Sequence, residues 1–124
     1  MARNMSFALT IEQFKARTQT VTHRLGWWFL KPGDIVCGVK KTMSLKRGEK
    51  LKPLGMIRII SRRQEPLDTI TQEDVVAEGF PNLTPSEFVS MLVAHCSVTP
   101  ARIFNRIEFE YLENDIGGID GSNL

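Results

Sequence analysis

The stretch that decides the fold runs from Thr20-Val21-Thr22-His23-Arg24 through Pro32-Gly33-Asp34 to Ile35-Val36-Cys37-Gly38-Val39. In its first segment the side chains alternate between two sides, with Thr20, Thr22 and Arg24 on one and Val21 and His23 on the other. This period of two in a β-branched run predicts a strand. The proline, glycine and aspartate predict a turn. We therefore expect 20–24 and 35–39 to be neighbouring strands.

The polar side of the first strand carries two hydroxyls and a guanidinium. These groups are good hydrogen-bond donors to a phosphate, a sugar or a base edge. A polar strand face that binds nothing gives the same pattern, so the segment alone leaves both interpretations open. His23 alternates away from Thr22, and we expect it to be a packed or exposed strand residue rather than a catalytic base.

The other strands are predicted from alternation of apolar and polar residues, and the helices from capping residues at their starts. Residues 6–9, 54–63 and 103–112 read as strands, and Thr10, Thr71 and Thr84 are expected to begin helices. The second helix is expected to end at Gly79. Strands at both ends of the chain with helices between them predict an α+β fold. Specifically, we expect a small, partly open mixed β-barrel of five to six strands with two to three helices packed at its ends.

Length and composition set the class of protein. A chain of 124 residues with 42% hydrophobic residues is expected to form one globular domain, at 1–112. Residues 113–124 are acidic and glycine-rich, which predicts a tail that buries little. The sequence has no run long enough to span a membrane and no signal-peptide pattern at its start. We therefore expect a soluble, cytoplasmic protein without membrane partners.

The cysteines and histidines are too few and too scattered for a metal site. Cys37 and Cys96 have no paired spacing, so reduced structural thiols are expected, although a disulfide stays open at this stage. His23 and His95 do not complete a metal-ligand pattern with them. We predict no metal and no cofactor.

Charge is distributed very unevenly along the chain. Residues 1–63 hold 14 lysines and arginines against 3 acidic residues, whereas residues 64–124 hold 2 against 11. The basic half peaks in a loop at 40–52, with candidate phosphate ligands at Lys40, Lys41, Lys46 and Arg47. Such a face attracts RNA or DNA. Alternatively, acidic helices fold back over the basic strands and cancel the field.

Two adjacent tryptophans, Trp27 and Trp28, follow Gly26 and the first long strand. One of them can face inward and the other outward. An outward tryptophan beside Arg24 could stack on a base, and both are therefore candidate ligand-binding residues. Packing in the core or at its rim is the competing interpretation, for at least one of the two.

In its order and spacing of segments the chain resembles an ASCH domain, a member of the PUA-like barrel superfamily. The matching pieces, which together span most of residues 5–112, are the opening strand and helix, Thr20–Arg24, Lys31–Asp34, Leu67–Thr71, Glu78-Gly79-Phe80 and Ile107–Phe109. The resemblance implies a cavity between barrel and helices that faces a nucleotide or RNA.

The resemblance also implies a candidate catalytic site. Some ASCH proteins are amidohydrolases that deacetylate N4-acetylcytidine with a Lys-x-x-Thr motif and a glutamate from a helix. The threonine falls on Thr22 and the glutamate on Glu78, but the lysine position holds Gln19. A threonine hydroxyl needs a neighbouring base, which glutamine is not. A carboxylate at a helix C-terminus is unfavourable, so Glu78 also needs a partner such as Arg24 or a functional use.

Three function classes follow. The first is RNA or nucleotide binding through a cleft lined by Thr22, Arg24 and Glu78, with the basic loop and Thr20 contributing further contacts. The second is a small hydrolase acting on a modified nucleoside such as N4-acetylcytidine, or on RNA. The third is a protein-interaction domain that uses the basic loop. Gln19 argues against the second class, and the uneven charge fits the first and third equally.

Overall fold

The computed structural model describes residues 3–41 and 53–112, and the structural statements below concern this part of the chain. The candidate ligands Lys46 and Arg47 and the predicted tail at 113–124 lie outside it. No helix within it is both long enough and apolar enough to cross a membrane.

Residues 3–41 and 53–112 form five strands and three α-helices. In chain order they are β1 (Arg3–Ser6), α1 (Ile11–Lys15), β2 (Val21–Arg24), β3 (Ile35–Val39), β4 (Pro53–Pro66), α2 (Gln72–Ala77), α3 (Pro85–Cys96) and β5 (Ile103–Tyr111), with a 3-10 turn at Leu67–Thr69. The strands form one mixed sheet in the order β1-β3-β4-β5-β2, curled into a half-barrel. The predicted α+β class and number of strands are confirmed.

The predicted pairing of the first two long strands is wrong. β2 is an edge strand that pairs antiparallel with β5, whereas β3 lies between β1 and β4. The turn before β3 is closed locally, because the carboxylate of Asp34 accepts from the backbone N of Lys31 at 2.9 Å. Gly33 N then donates to Ile59 O at 2.7 Å. This bond fastens the turn to β4, so the chain crosses the sheet instead of forming a hairpin.

Helix caps account for two of the helix starts. The Thr84 hydroxyl and the Glu87 side chain form the predicted capping box reciprocally. The Thr71 hydroxyl accepts from Asp74 N at 3.1 Å. Thr10 begins α1 as expected, but its side chain makes no cap bond among the described residues. β1 also ends earlier than the predicted strand at 6–9.

Two hydrophobic clusters lie on opposite faces of the sheet. The first includes Phe14 of α1 together with Met5, Phe7, Val36, Ile57, Ile59, Ile107 and Phe109. The second lies beneath α2 and α3 and comprises Leu67, Ile70, Val75, Phe88, Leu92 and Phe104. Since successive residues of a strand face opposite sides, β5 contributes Ile107 to one cluster and Phe104 to the other. The edge strand β2 therefore runs along the boundary between the two cores.

The Phe14 ring packs directly on the backbone of β3. A Cβ added to Gly38 would stand 2.5 Å from the ring, so only glycine fits beneath it. Phe7, Phe109 and Tyr111 surround the same ring, with centroids 4.5, 6.4 and 5.1 Å away. This aromatic group fixes α1 against the sheet, immediately before the segment that leads into β2.

Candidate functional site

A cavity of about 250 Å³ lies between the two edge strands of the half-barrel. Its walls come from the residues that follow β1, from β2, and from α3 with the end of α2. Because it lies along the free edge of β2, it meets side chains from both faces of that strand. The apolar walls include Phe7, Phe80, Phe88, Leu92 and Phe104, and the polar groups include Gln19, Thr22, His23, Arg24 and Glu78.

The cavity brings together some of the sequence-predicted residues and leaves out others. Thr22, Arg24, Glu78 and the substituted Gln19 all line it. In the part of the chain that the structure describes, no lysine does. The other candidates outside the lining are Thr20, Trp27, Trp28, Lys40 and Lys41. Thr20 is exposed, and its backbone joins β5 by accepting from Phe109 N.

The tryptophans divide as the sequence suggests, but away from the cavity. Trp27 has a left-handed backbone with a φ of 60° and packs against the first core cluster. Trp28 is 68% exposed and contacts Phe29 edge-on. A stacking role for Trp28 would therefore involve a surface separate from the cavity.

Glu78 is held by two side chains, and neither is the expected Arg24. Gln19 Nε2 donates to Glu78 Oε1 at 3.2 Å, and His23 Nδ1 lies 2.7 Å from Oε2. The residue as a whole is 4% exposed. Arg24 attracts Glu78 through its charge, but its Nε donates to Thr22 Oγ1 at 3.0 Å. The carboxylate at the end of α2 is thus stabilised by groups from β2 and the residues before it.

His23 is a buried ionic residue, which the alternation pattern did not reveal. Its side chain is fully buried, and its second ring nitrogen, Nε2, lies 3.2 Å from Glu65 Oε2. A carboxylate only accepts hydrogen bonds, so an imidazole between two carboxylates is best satisfied when both nitrogens are protonated. Burial lowers the pKa of His23, but hydrogen bonds and charges from Glu78 and Glu65 outweigh it and raise the pKa above 6.5.

The raised pKa of His23 predicts that stability falls in mildly alkaline solution. The stabilisation is complete below pH 6.5 and is lost as the pH rises through the folded-state pKa. We expect urea unfolding to show a lower free energy of unfolding at pH 9 than at pH 6.

Other charges of the same network are Asp74, which interacts with His23, and Arg106 and Arg63, which act on Asp74, together with Arg24, which acts on Glu78. The two histidine variants compared next isolate the contribution of His23 from theirs. His23→Gln should flatten the pH dependence between 6 and 9. His95→Gln, at the one other histidine and exposed, is the matched control and should leave it unchanged. An identical pH dependence in both variants would contradict this role of His23.

Arg24 is half-buried, and its charged group makes few hydrogen bonds. Its guanidinium lies over the Phe7 ring, 4.7 Å from the centroid, and burial lowers its pKa to about 10. It is still protonated at neutral pH. Only its Nε has an acceptor among residues 3–41 and 53–112, so the two Nη groups have hydrogens to spare for a ligand.

Gln19 leaves one polar atom unsatisfied. The residue is 1% exposed, and its Nε2 donates both to Glu78 and to Val21 O, the latter at 3.1 Å. With two acceptors beside the nitrogen, the orientation of the amide is defined. Its Oε1 is buried and has no donor among the described residues. A buried oxygen without a partner costs about 1–3 kcal/mol.

A group of His23, Glu65 and Asp74 lies close enough to hold a metal ion, with ligand atoms within 4.8 Å of one another. Two bonds from Arg106 already occupy both oxygens of Asp74, at 2.8 and 2.9 Å. These bonds lower the pKa of Asp74. In the described structure these three side chains are therefore joined in an ion-pair network with Arg106.

Both cysteines are free thiols. Cys96 lines the cavity, and burial raises its pKa although the charge of Arg24 acts in the opposite direction. Burial likewise raises the pKa of Cys37. Neither thiol is activated as a nucleophile at neutral pH.

Comparison with known proteins identifies the fold. No family model and no curated protein matches the sequence. Among solved structures, the chain is similar to an ASCH domain from Lactobacillus crispatus JV V101, with a TM-score of 0.62, 11% identity and coverage of 88% of this chain and 78% of that one. It is also similar to protein EF3133 of Enterococcus faecalis V583, assigned to DUF984, with a TM-score of 0.60, 14% identity and coverage of 90% and 79%. The chain thus has an ASCH-type fold, and likeness at this identity shows the fold alone.

Proposed function

We propose that the cavity binds a single nucleobase of an RNA or nucleotide, without hydrolysing it. The observation that carries this proposal is the convergence of Gln19, Thr22, Arg24 and Glu78 at one aromatic-walled cavity. A few convergent polar groups in an otherwise apolar pocket are typical of small-molecule sites. At about 250 Å³, just below the usual range of about 300–1,000 Å³ for ligand pockets, the space suits a single ring system.

The balance of charge favours a neutral group inside the cavity. With His23 protonated, the charges of the network cancel, because Arg24, His23 and Arg106 oppose Glu65, Asp74 and Glu78. The more exposed Arg63 and Glu108, which pair with Glu65 and Arg106, also cancel each other. A buried phosphate or carboxylate would leave an uncompensated charge, which is costly in a low-dielectric interior. A neutral base with a carbonyl oxygen would satisfy Arg24 without that cost.

The phosphates of such a ligand would remain outside. The basic first half of the sequence supplies cations for them, including Lys40 and Lys41 and, farther along the sequence, Lys46 and Arg47. Phosphate contacts of this kind hold a nucleic acid in position without reading its sequence. Base recognition would then come from the cavity.

Hydrolysis is the second candidate, and the presence of Thr22 and Glu78 in one cavity favours it. Against it, the carboxylate of Glu78 is engaged by Gln19 and His23, and no lysine among the described residues lines the site. Among the described residues, no lysine is therefore present to act as the base for the Thr22 hydroxyl. His95 also lines the cavity, but no hydrogen bond joins it to that hydroxyl in the part of the chain that the structure describes. We expect the natural protein to hydrolyse N4-acetylcytidine weakly or not at all.

Arg24→Met tests the binding proposal. The change keeps an unbranched apolar stem and removes the donor, and hydrogen bonds to charged groups contribute about 1.5–3 kcal/mol. We expect nucleoside affinity, measured by NMR titration with the four ribonucleosides, to fall about 10- to 100-fold.

Arg63→Met is the matched control, because that side chain is 62% exposed and outside the cavity lining. It should leave nucleoside affinity unchanged. The proposal fails if no nucleoside shifts the resonances of cavity residues, or if Arg24→Met binds as the natural protein does.

A further inference from the structure

We infer that Gln19 determines the specificity of the cavity, and that the cavity selects bases with a lactam edge, an N–H next to a carbonyl, as in uracil and guanine. This inference rests on the proposed function. It assigns the N–H of the base to Gln19 Oε1 and the carbonyl oxygen to Arg24 and Thr22.

The assignment of the N–H follows from the unsatisfied oxygen of Gln19. Its Nε2 donates two hydrogen bonds within the protein, to Val21 O and to Glu78 Oε1. The amide therefore cannot rotate to present its N–H groups to a ligand without losing both bonds. Gln19 can therefore offer a ligand only an acceptor. Because Oε1 is buried without a donor among the described residues, a ligand N–H that reaches it removes an existing cost.

The assignment of the carbonyl follows from two adjacent donors. Thr22 Oγ1 accepts from Arg24 Nε at 3.0 Å, which holds the hydroxyl and the guanidinium side by side. Among the described residues, neither the Thr22 hydroxyl hydrogen nor the Arg24 Nη hydrogens have an acceptor. A carbonyl oxygen has two lone pairs and can accept from both groups, whereas a ring nitrogen has only one.

Together these groups distinguish the bases. Uracil and guanine carry a ring N–H directly beside a carbonyl, which matches an acceptor and a pair of donors. Adenine and cytosine place an amino group beside a bare ring nitrogen, which offers one lone pair to two donors. We therefore expect uridine and guanosine to bind more tightly than cytidine and adenosine.

Methylated nucleosides test this inference without altering the protein. In NMR titrations, 3-methyluridine should bind at least about tenfold more weakly than uridine, because its ring N–H is replaced. The comparison of 1-methylguanosine with guanosine should give the same loss. The control is 5-methyluridine. Its methyl group leaves the ring N–H in place and should lower the affinity little.

Gln19→Met tests the same contact from the protein side. Methionine is similar in length and cannot accept the hydrogen bond as an amide does. We expect the variant to lose the preference for uridine over 3-methyluridine and over cytidine. The amide and methyl resonances of the core show whether the variant is folded. If the variant does not fold, the comparison of uridine with 3-methyluridine on the natural protein still tests the inference.

The outcomes separate this inference from the function on which it rests. Suppose that nucleosides bind and that Arg24→Met lowers their affinity, but that 3-methyluridine binds as tightly as uridine. The inference about Gln19 is then overturned, and the proposed binding function stands. Equal or tighter binding of cytidine and adenosine would also overturn it. If none of the nucleosides binds, the proposed function itself fails.

Discussion

Gln19→Lys should give the protein measurable amidohydrolase activity, about 100- to 10,000-fold above the natural protein, which is the usual contribution of general-base catalysis. Residue 19 is 1% exposed, and its side chain reaches Glu78, so a lysine there would lie in the cavity near Thr22. Burial lowers the pKa of a lysine amine, whereas the neighbouring Glu78 carboxylate raises it, and the neutral fraction of the amine can take the proton of the Thr22 hydroxyl. The measurement is release of acetate from N4-acetylcytidine.

Two further variants decide whether the gain arises in this way. Thr22→Ala in the Gln19→Lys background should abolish it, and Gln19→Met should show no gain at all. A folded Gln19→Lys protein without activity would favour a binding role alone. Conversely, rapid deacetylation by the natural protein that survives alanine at Lys15, Lys31 and Lys40 would show that another group serves as the base.

Phe14→Ala should lower the free energy of unfolding by about 3–5 kcal/mol, the usual cost of emptying an aromatic site in a core. Phe14 is fully buried and packs against Phe7, Phe109 and Tyr111. The backbone beneath it is glycine, so no neighbouring side chain from Gly38 can fill the space. Urea denaturation followed by circular dichroism measures the loss.

Val76→Ala is the matched control for this prediction. Val76 lies on α2 and is 45% exposed, and alanine has the higher helix propensity. We expect its effect to stay within about 0.5 kcal/mol. A loss below about 1 kcal/mol for Phe14→Ala would mean that α1 contributes little to the fold.

The sequence predicted the elements well because their signals are local. The threonine at the start of α3 satisfies a backbone N–H three residues away, and that spacing is visible in the chain itself. The alternation at 103–112 likewise reflects a real division of β5 between two faces. The α+β class followed from the order of these elements.

Strand pairing was not predictable in the same way. Pro32-Gly33-Asp34 does form a turn, but the backbone of that turn is hydrogen-bonded to Ile59 on β4 and not to β2. Nothing in the residues between β2 and β3 indicates that β5 takes the place beside β2. The strand order depends on which side chains of each strand enter each of the two hydrophobic clusters. Those clusters draw residues from distant parts of the chain, so no local segment indicates the pairing.

The candidate site shows the same limit. The resemblance to the ASCH domain pointed to Thr22, Glu78 and the altered position 19, and all three line one cavity. Their roles there stay predictions. His23 was missed because its partners, Glu78 and Glu65, lie 55 and 42 residues away along the chain. The one available signal was a histidine in a strand otherwise suited to burial, and that pattern is common in strands without function.

Because β2 pairs with β5, the cavity can form only after β5 has been synthesised. The hydroxyl of Tyr111 donates to the carbonyl of Gln19, 92 residues earlier, and every backbone pair of β2 is made with β5. A growing chain therefore carries the cavity residues of β2 without their partner strand until β5 has been made. Contacts between such distant segments form slowly. The proposed binding cavity should thus form only when β5 docks against β2.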